Sequence, residues 1–561
     1  MKFPGLLCQI TLTLVFACSV IAQDRPESSG GKQQPASRPV DAAAPTAHSS
    51  LPTIDLPEFV ITGTTSVNPP DVQKGFLDEG GTYKRNPLEN SPGTRDRETI
   101  DLGARFKQSL LTTSEGLYGI AGAGLGTFFS ANVFGSFGQS EKSYDFLGDA
   151  RYRRTRGFMR FTDASGGRLG LKGSLIVRSE SHLLDEARVS GEASYGLSKY
   201  KFYGSLSPSL GRDWSNVRFG TRAVTSLNAP AVVSAGLIYQ ALAVHDSSAA
   251  TTENMVTIDA GGQVPVFDFL LDVKAGLRLT TVTSGSINNL SEASVTIGVP
   301  PRSWGNFLFE ISATGFAIRG MAGQQSSYLY PHLVARYSGL KNQILFLHFR
   351  PQVKYTTLRE QIHINPYLSA NMVIRHEIHR WAVAGGIESD WSSWLGTRME
   401  LRIQSVDDYP LFADSAASGI WALVYGGRTS LAAFRVDAVA NITTNDYFAL
   451  AVTARTAKNS VYGSRVPYLA EFEASVVYRH RFPFDVSAGP ALSVLGSRRA
   501  SAQSAETVGS YLWSGMNVEY NRIPGLSVSL EIRNLFDRRY EEWKGYRAEP
   551  FSMVLGLSYR W

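Results

Sequence analysis

The chain has 561 residues, with 52 glycines, 24 tyrosines and 29 phenylalanines, and a formal net charge of +6 at pH 7. This charge is small for the length and gives no indication of nucleic acid binding. Its two cysteines, Cys8 and Cys18, lie near the N-terminus, so disulfides, cysteine-ligated zinc and thiol catalysis are excluded from the rest of the chain.

Residues 1–22 have the layout of a secretory signal peptide. Lys2 precedes an apolar stretch that ends at Ala22 in a cleavage site of the small-x-small type. We therefore predict export and cleavage after Ala22. The alternative is a lipoprotein signal that leaves a lipid on Cys18, which the bulky Phe16 and the continuing apolar run disfavour.

Residues 23–98 predict a disordered periplasmic arm. Its first part is rich in Ser, Pro, Ala and Gln and has almost no aromatic residues, so it cannot bury enough apolar surface to fold. A short apolar island at residues 56–63 interrupts the arm. An extended apolar segment of this kind can add as a strand to the sheet edge of a partner. The alternatives are that it enters the mouth of its own protein or that it pairs with nothing.

From residue 99 to Trp561 the sequence alternates between apolar and polar residues, as Leu277, Arg278 and Leu279 illustrate. Such stretches run for about 9 to 11 residues, the length that crosses a membrane at a tilt. After Ala22 no apolar run reaches the roughly 20 residues of a spanning helix. Only helices and closed barrels satisfy their backbone groups in lipid. We therefore predict an all-β fold, a transmembrane antiparallel β-barrel of about 20 strands.

Turn signals divide the predicted barrel into hairpins. Proline and glycine recur at intervals that suit one hairpin each, and tryptophans and tyrosines cluster near the ends of the alternating stretches, as in an interfacial aromatic girdle. The turns predicted from these residues lie at positions 299–301, 338–340, 426–427, 482–483 and 523–525.

The end of the chain predicts a closing strand whose apolar face is complete to the last residue. That face is expected to point towards outer-membrane lipid, and it consists of Phe551, Met553, Leu555, Leu557, Tyr559 and Trp561.

Just before this strand, the chain resembles the C-terminal end of TonB-dependent outer-membrane receptors. The resemblance is carried by an Asn-Leu-Phe-Asp-x-x-Tyr motif, formed by Asn534, Leu535, Phe536, Asp537 and Tyr540. The apolar island is similar to the TonB box of that family, and its residues are Glu58, Phe59, Val60, Ile61, Thr62 and Gly63. The resemblance implies a barrel of 22 strands in the bacterial outer membrane, driven by TonB. It also implies that the barrel-assembly machinery reads residues 551–561.

One departure from the family concerns the plug, the globular domain that family members carry between the TonB box and the barrel. About 35 polar residues follow Gly63 before the first expected strand, too few for a plug to fold. The chain therefore resembles a receptor barrel that lacks its plug. Residues 56–97 are the expected material for occluding the periplasmic mouth, together with loops folded inwards.

Three patterns that resemble functional motifs are better explained as structure. Gly122, Gly124 and Gly126 lie in a strand-like stretch without the helix that a phosphate site needs, and they share one face. His376 and His379 would point to opposite faces of a strand, which excludes a shared metal ion. The adjacent acidic residues Asp407 and Asp408 indicate a loop tip. We predict no catalytic site, no metal site and no cofactor.

The polar face of the barrel carries charges of both signs, which either tune solute selectivity or pair as structure. These residues are Arg218, Arg222, Asp272, Lys274, Arg278, His348, Arg350, Lys354, Glu400, Arg402, Arg435 and Asp437. The predicted function is a receptor or transport barrel for the uptake or passage of a solute, coupled to TonB or another periplasmic partner. The alternative is a non-transporting anchor or scaffold that tethers a periplasmic partner, and an enzymatic barrel ranks third.

Overall fold

The computed structural model describes residues 116–178, 186–225, 232–246, 249–266, 269–284, 287–320, 325–392, 394–414, 416–463 and 466–561. They fold into a closed antiparallel barrel of 22 strands, which confirms the predicted fold class and the strand number implied by the family resemblance. The predicted signal peptide, arm and TonB-box-like segment lie outside the described residues. No helix in the described ranges is long and apolar enough to cross a membrane.

The elements follow one another in a meander, and each barrel strand pairs with its neighbours along the chain. The strands β1 to β29 are Gly116–Gly126, Ser130–Ser140, Tyr144–Thr155, Ala164–Val177, Ala187–Lys201, Gly211–Val224, Val233–Asp246, Ala249–Val266, Phe269–Thr283, Ile287–Trp304, Phe307–Arg319, Gln325–Leu340, Gln343–Phe349, Gln352–Lys354, Glu377–Ser392, Leu395–Asp407, Leu411–Ala413, Ala422–Val424, Thr429–Thr443, Asp446–Asn459, Phe472–Arg481, Val486–Leu495, Arg498–Arg499, Thr507–Val508, Tyr511–Tyr520, Leu526–Arg533, Glu541–Trp543, Tyr546–Arg547 and Ser552–Arg560. The helix α1 is Leu358–Ile364, and a 3₁₀ turn covers Thr127–Phe129.

Seven of these strands do not count as separate strands of the barrel wall. The short strand β14 continues β13 along the same partner, β15. The other six form three small hairpins in the connections, β17 with β18, β23 with β24, and β27 with β28. The barrel closes where β1 pairs with β29, with Ile120 opposite Arg560 and Gly126 opposite Val554.

The barrel wall has an exterior face of large apolar side chains and a lumen face of polar ones, as the alternation predicts. On the exterior face Leu169 is 57% exposed, Phe219 54% and Leu555 59%. A continuous exposed apolar surface of this kind is unstable in water and stable in lipid. The charged side chains of Arg218 and Glu192 lie on the opposite, lumen face and pair with each other.

The two rims of the barrel differ in the length of their connections. At the rim that holds Trp561, which we call the C-terminal rim, short turns such as those at 482–485 and 521–525 join the strands. The predicted turns at 482–483 and 523–525 are confirmed. The opposite rim, the long-loop rim, carries the connections at 355–376, 408–428 and 534–551.

Two predicted turns are misplaced, and a third lies between strands as predicted. Residues 299–301 lie inside β10 at a register shift between Val299 and Arg302, and the turn follows at 305–306. Proline is tolerated at such irregularities because it has no N–H to donate to the ladder. Residues 338–340 end β12, and the turn is at 341–342. Residues 426–427 belong to a connection at the long-loop rim, between β18 and β19.

Candidate functional site

A barrel of 22 strands is too wide for the side chains of its own wall to fill, and transporters of this size have an occluded lumen. In this protein the connection between β14 and β15, residues 355–376, folds inwards across the long-loop rim. We call it the cap segment. It begins with helix α1, which Thr357 caps by accepting a hydrogen bond from the Glu360 N–H at 3.1 Å. Residues 357–360 therefore form the Thr-x-x-Glu start of a helix.

Arg212 on β6 fastens the middle of the cap segment to the barrel wall. Its guanidinium is fully buried and donates hydrogen bonds to the Pro366 carbonyl at 2.9 Å and to the Leu368 carbonyl at 2.5 Å. Asp246 on β7 accepts two more hydrogen bonds from the same guanidinium, both at 2.6 Å. Tyr200 adds a hydrogen bond to the Pro366 carbonyl at 2.7 Å. A buried guanidinium is stable only because all these partners are present.

Further along the wall, β8 and β9 hold both ends of the cap segment. The carboxylate of Glu253 accepts hydrogen bonds from the backbone N–H groups of Leu358 and Arg359, at the start of α1. Thr251 donates to the Ala370 carbonyl at 3.1 Å, and Tyr355 donates to the Thr280 hydroxyl at 2.6 Å. Since the cap segment leaves the sheet at β14 and is held at β6 to β9, it spans the mouth of the barrel.

An apolar core lies beneath and around these contacts at the long-loop rim, where loops from several sides of the barrel meet. The Tyr367 and Tyr546 rings stack with their centroids 3.6 Å apart, and Trp421 lies 5.4 Å from Trp543. Each fully buried large apolar side chain contributes about 1.5–3 kcal/mol. The buried members of this core are Tyr200, Phe202, Trp214, Leu242, Val244, Leu358, Ile362, Tyr367, Leu368, Ala370, Met372, Ile374, Phe412, Trp421, Leu423, Trp543 and Tyr546.

Buried charges sit where the cap segment joins the wall. The ammonium of Lys354 lies 2.8 Å from carboxylate oxygens of both Glu360 and Glu377. Burial raises the pKa of the Glu360 carboxyl above its usual value, while the nearby Lys354 opposes that rise. His376, at the end of the cap segment, stacks on Tyr355 with ring centroids 4.4 Å apart. Burial lowers the pKa of the His376 imidazole to about 4, so this side chain is neutral at physiological pH.

Below the cap, the lumen face of the wall carries ion pairs between neighbouring side chains, and eight of the charges listed in the sequence analysis pair in this way. None of the pairs whose distances follow crosses the lumen. The pairs are Arg218 with Glu192 at 2.5 Å, Lys274 with Asp272 at 3.0 Å, Arg278 with Glu292 at 3.8 Å, Arg402 with Glu400 at 2.8 Å and Arg435 with Asp437 at 2.7 Å.

The predicted closing strand lies on the exterior face next to β1 and β26. Leu555, Leu557 and Tyr559 are 59%, 54% and 52% exposed, and Trp561 is 51% exposed at the C-terminal rim. The geometry suits contact with lipid. Recognition by the barrel-assembly machinery stays a prediction.

The motif that carries the family resemblance builds the turn before the closing strand. Asn534 and Asp537 both have φ of +47°, a conformation that asparagine and aspartate tolerate better than most residues. The Asn534 amide donates to the Arg538 and Glu549 carbonyls, both at 3.0 Å. Asp537 accepts a hydrogen bond from the Phe551 N–H at 2.9 Å, where the last strand begins. The motif therefore has a structural role in the turn.

The three patterns explained as structure have mixed outcomes. Gly122, Gly124 and Gly126 lie in β1 as predicted. The prediction of a loop tip at 407–408 is wrong for Asp407, which ends β16 and is buried between Arg380 and Arg428, two cations that the local sequence does not bring near it. Within the described ranges, no group of three or more His, Cys, Asp or Glu side chains is placed to hold a metal ion.

The cap segment was not predicted from the sequence. One local signal was available, since the Thr357-x-x-Glu360 pattern precedes an apolar helical repeat. The fastening residues Arg212 and Glu253 gave no such signal, because their partners in the cap segment lie more than a hundred residues away along the chain, at separations of 156 for Leu368 and 105 for Leu358.

No protein-family model and no curated protein matches this chain. Solved structures do match its fold. The FrpB iron transporter from Neisseria meningitidis (F3-3 variant) is 10% identical with a TM-score of 0.64, covering 81% of this chain and 83% of that chain. The siderophore receptor PiuA from Acinetobacter baumannii is 9% identical with a TM-score of 0.63, covering 80% and 82%. The copper transporter OprC is 12% identical with a TM-score of 0.61, covering 80% of each chain.

At this level of identity the likeness shows the fold alone. The barrel has the architecture of the TonB-dependent receptors, which confirms the resemblance drawn from the C-terminal motif. These neighbours are transporters and receptors rather than enzymes.

Proposed function

We propose that the protein takes up or passes a solute across the outer membrane, with the cap segment controlling entry at the long-loop rim. The observation that supports this most strongly is the fastening of the cap segment across a 22-stranded lumen by Arg212 and Glu253. A gate of this kind needs contacts that can be exchanged, and hydrogen bonds to backbone carbonyls and N–H groups are of that type. We place the long-loop rim outside the cell, because bacterial barrels have short periplasmic turns and longer extracellular loops.

For the cargo, metal-containing solutes are the first class to test. The three neighbours described above are an iron transporter, a siderophore receptor and a copper transporter. The test is uptake of radiolabelled ferric chelates and copper by cells that express the wild-type protein, against cells that express a variant with the cap segment cross-linked to the wall. Uptake that depends on the protein and is lost on cross-linking supports the proposal. Equal uptake in both strains and in cells without the protein contradicts it.

Energy coupling through residues 58–63 is the finer part of the proposal. We infer that this segment adds as a strand to the sheet edge of TonB or another periplasmic protein. Proline cannot donate a ladder hydrogen bond, so Val60→Pro should abolish capture of the full-length protein by an immobilised periplasmic domain of TonB. Val67→Pro, outside the segment, is the matched control. Equal capture of both variants contradicts this coupling.

The scaffold alternative is favoured by the apolar core around the cap segment, because a core of this kind also suits a permanently closed barrel. The two functions differ in one measurable property. A transport barrel opens under some condition of ligand, partner or pH, whereas a scaffold stays closed in all of them. Residue-specific hydrogen exchange of α1, with and without candidate solutes, distinguishes them.

A further inference from the structure

A groove of about 420 Å³ lies on the exterior face of the wall, across β2 to β5. Its volume is within the range of about 300–1,000 Å³ that is usual for ligand clefts. The groove is on the face that meets the membrane, and not on the lumen face where the cap and the ion pairs lie. Large apolar side chains form its sides, and they are Val133, Tyr152, Leu169, Tyr195 and Leu197.

Small residues make the floor of the groove. Tyr152 pairs with Gly167 and Gly167 with Leu197, so a residue without a side chain lies between two large ones. One step further from the long-loop rim, Gly135 pairs with Ala150. A Cβ at Gly135 would meet only the Ile120 carbonyl oxygen, at 3.6 Å, so the space above this position is open. The small residues in the sequence at these positions therefore create the groove.

Cationic side chains border the groove at the long-loop rim. Arg154 lies on the same face as Tyr152, two residues nearer the rim, and pairs through Ser165 with Lys199. Two strand spacings, about 10 Å, separate the backbones of Arg154 and Lys199. This end of β3 to β6 and the loop at 156–163 together carry five cationic side chains and two acidic ones; the cations are Arg154, Arg156, Arg160, Lys199 and Lys201, and the acids are Asp163 and Asp213.

The ion pairs that these cations form are exposed to solvent and therefore weak. Lys199 lies 2.9 Å from Asp213, but their side chains are 70% and 53% exposed, and an exposed pair of this kind contributes little. Lys201 pairs with Asp163 at 2.7 Å. Arg156 stacks over the ring of Phe129, with 4.7 Å to the ring centroid, which leaves its N–H groups able to donate.

We propose that this surface binds a phosphorylated lipid of the outer leaflet, with one acyl chain in the groove and its phosphate between Arg154 and Lys199. The apolar groove lies towards the membrane centre and the cationic side chains lie at the interface. The acyl chain and the phosphate of such a lipid follow one another in the same order. Arginine binds phosphate through two parallel N–H groups, and lysine binds it as a point charge. A lipid in the groove also covers the apolar surface that Gly135 and Gly167 leave open. The order of the parts rests on the orientation proposed above, but binding by the purified protein does not.

The experiment uses full-length protein, delipidated in a non-ionic detergent and titrated with lipid A, a bis-phosphorylated glycolipid. The same lipid without its phosphates is the reference ligand, and native mass spectrometry counts the lipids retained. We expect one lipid A per chain, held at least about tenfold more tightly than the dephosphorylated lipid. Arg154→Ala combined with Lys199→Ala should remove most of this preference, and Gly135→Leu should reduce retention of both lipids by filling the groove.

Lys458→Ala is the matched control. Lys458 is an exposed cation at the end of β20 that reaches the long-loop rim, like Arg154 and Lys199, but it lies away from the groove. It should leave retention unchanged, and heat-modifiable migration shows that each variant is folded. Equal retention of the phosphorylated and dephosphorylated lipids contradicts the proposal. So does full retention by the Arg154 and Lys199 double variant, or self-association of the chain through this face in place of lipid.

Discussion

Gly119 and Trp561 exchange two backbone hydrogen bonds, at 3.2 and 3.1 Å, and so close the barrel at its C-terminal rim. The indole ring occupies the space of a side chain on residue 119, because a Cβ built there would lie 2.3 Å from Trp561 Cζ2. The Trp561 ring therefore fits against the first strand only because residue 119 is a glycine.

This contact gives a test of the assembly signal. Gly119→Ala should displace the Trp561 ring and, if the ring is read during assembly, reduce the heat-modifiable barrel in outer membranes several-fold. Gly135→Ala on the neighbouring strand is the control, since the nearest atom to its added Cβ is 3.6 Å away. Normal levels of the Gly119→Ala barrel, or of one that lacks Trp561, would show that the terminal aromatic is not the signal.

The orientation of the barrel can be tested by labelling, because both cysteines lie within the predicted signal peptide. Lys544→Cys at the long-loop rim should react with a membrane-impermeant thiol reagent on intact cells, and Arg522→Cys at the C-terminal rim should not. Position 522 is preferable to Gly525, whose φ of +78° does not suit a side chain. The reverse labelling pattern would place the long loops in the periplasm.

Removal of the Arg212 side chain should make the cap segment open more often. Arg212→Ala leaves the Asp246 carboxylate buried without its partner, which costs about 3–5 kcal/mol in comparable buried pairs. The cap should then open at least about 100-fold more often, seen as faster hydrogen exchange in residues 358–370. Lys274→Ala is the control, since it removes a lumen charge that is 66% exposed and lies away from the cap. Equal exchange in the wild type and Arg212→Ala would mean that Arg212 does not hold the cap.

The cap should also loosen in acid through His376. Its pKa of about 4 in the closed cap lies below the ordinary value of about 6.5, so the closed state disfavours the imidazolium. Closed-state stability is therefore full above about pH 6.5 and falls as the pH drops towards 4, by up to about 3 kcal/mol. Protonation of Glu360, whose pKa is raised by burial, acts in the opposite direction.

A comparison of His376→Phe with the wild type isolates this effect, because phenylalanine keeps the stacking on Tyr355 and does not titrate. Hydrogen exchange in α1 should rise between pH 6.5 and 4 in the wild type and stay flatter in the variant. The same pH profile in both proteins would assign the dependence to another group.

The sequence predicted the barrel because its evidence is local: alternation, strand length and the closing strand can each be read from neighbouring residues. It misplaced the turn at 299–301 because proline marks a turn and an irregular strand equally well. It misread Asp407 because the cations that bury it, Arg380 and Arg428, lie 27 and 21 residues away. The cap was missed for the same reason, although the start of α1 was visible in residues 357–360.

The arm at residues 24–97 remains a predicted second barrier at the periplasmic mouth. With the cap closed, the two barriers act in series, so removal of the arm alone should change conductance little. Removal in the Arg212→Ala background should increase conductance markedly and sensitise cells to large antibiotics. Equal conductance with and without the arm in that background would leave residues 56–63 as a docking segment alone.

The most direct test of the cap segment as a gate is the planar-bilayer conductance of a protein without the cap. Residues 356–375 can be replaced by a short Gly-Ser linker, because the rings of Tyr355 and His376 that flank them are only 4.4 Å apart. We predict that the full-length protein is nearly silent and that the cap-deleted protein, also lacking residues 24–97, conducts steadily, as the lumen of such a wide barrel allows. Equal conductance of the two proteins, or a cap-deleted barrel that stays closed, would contradict the cap as the gate.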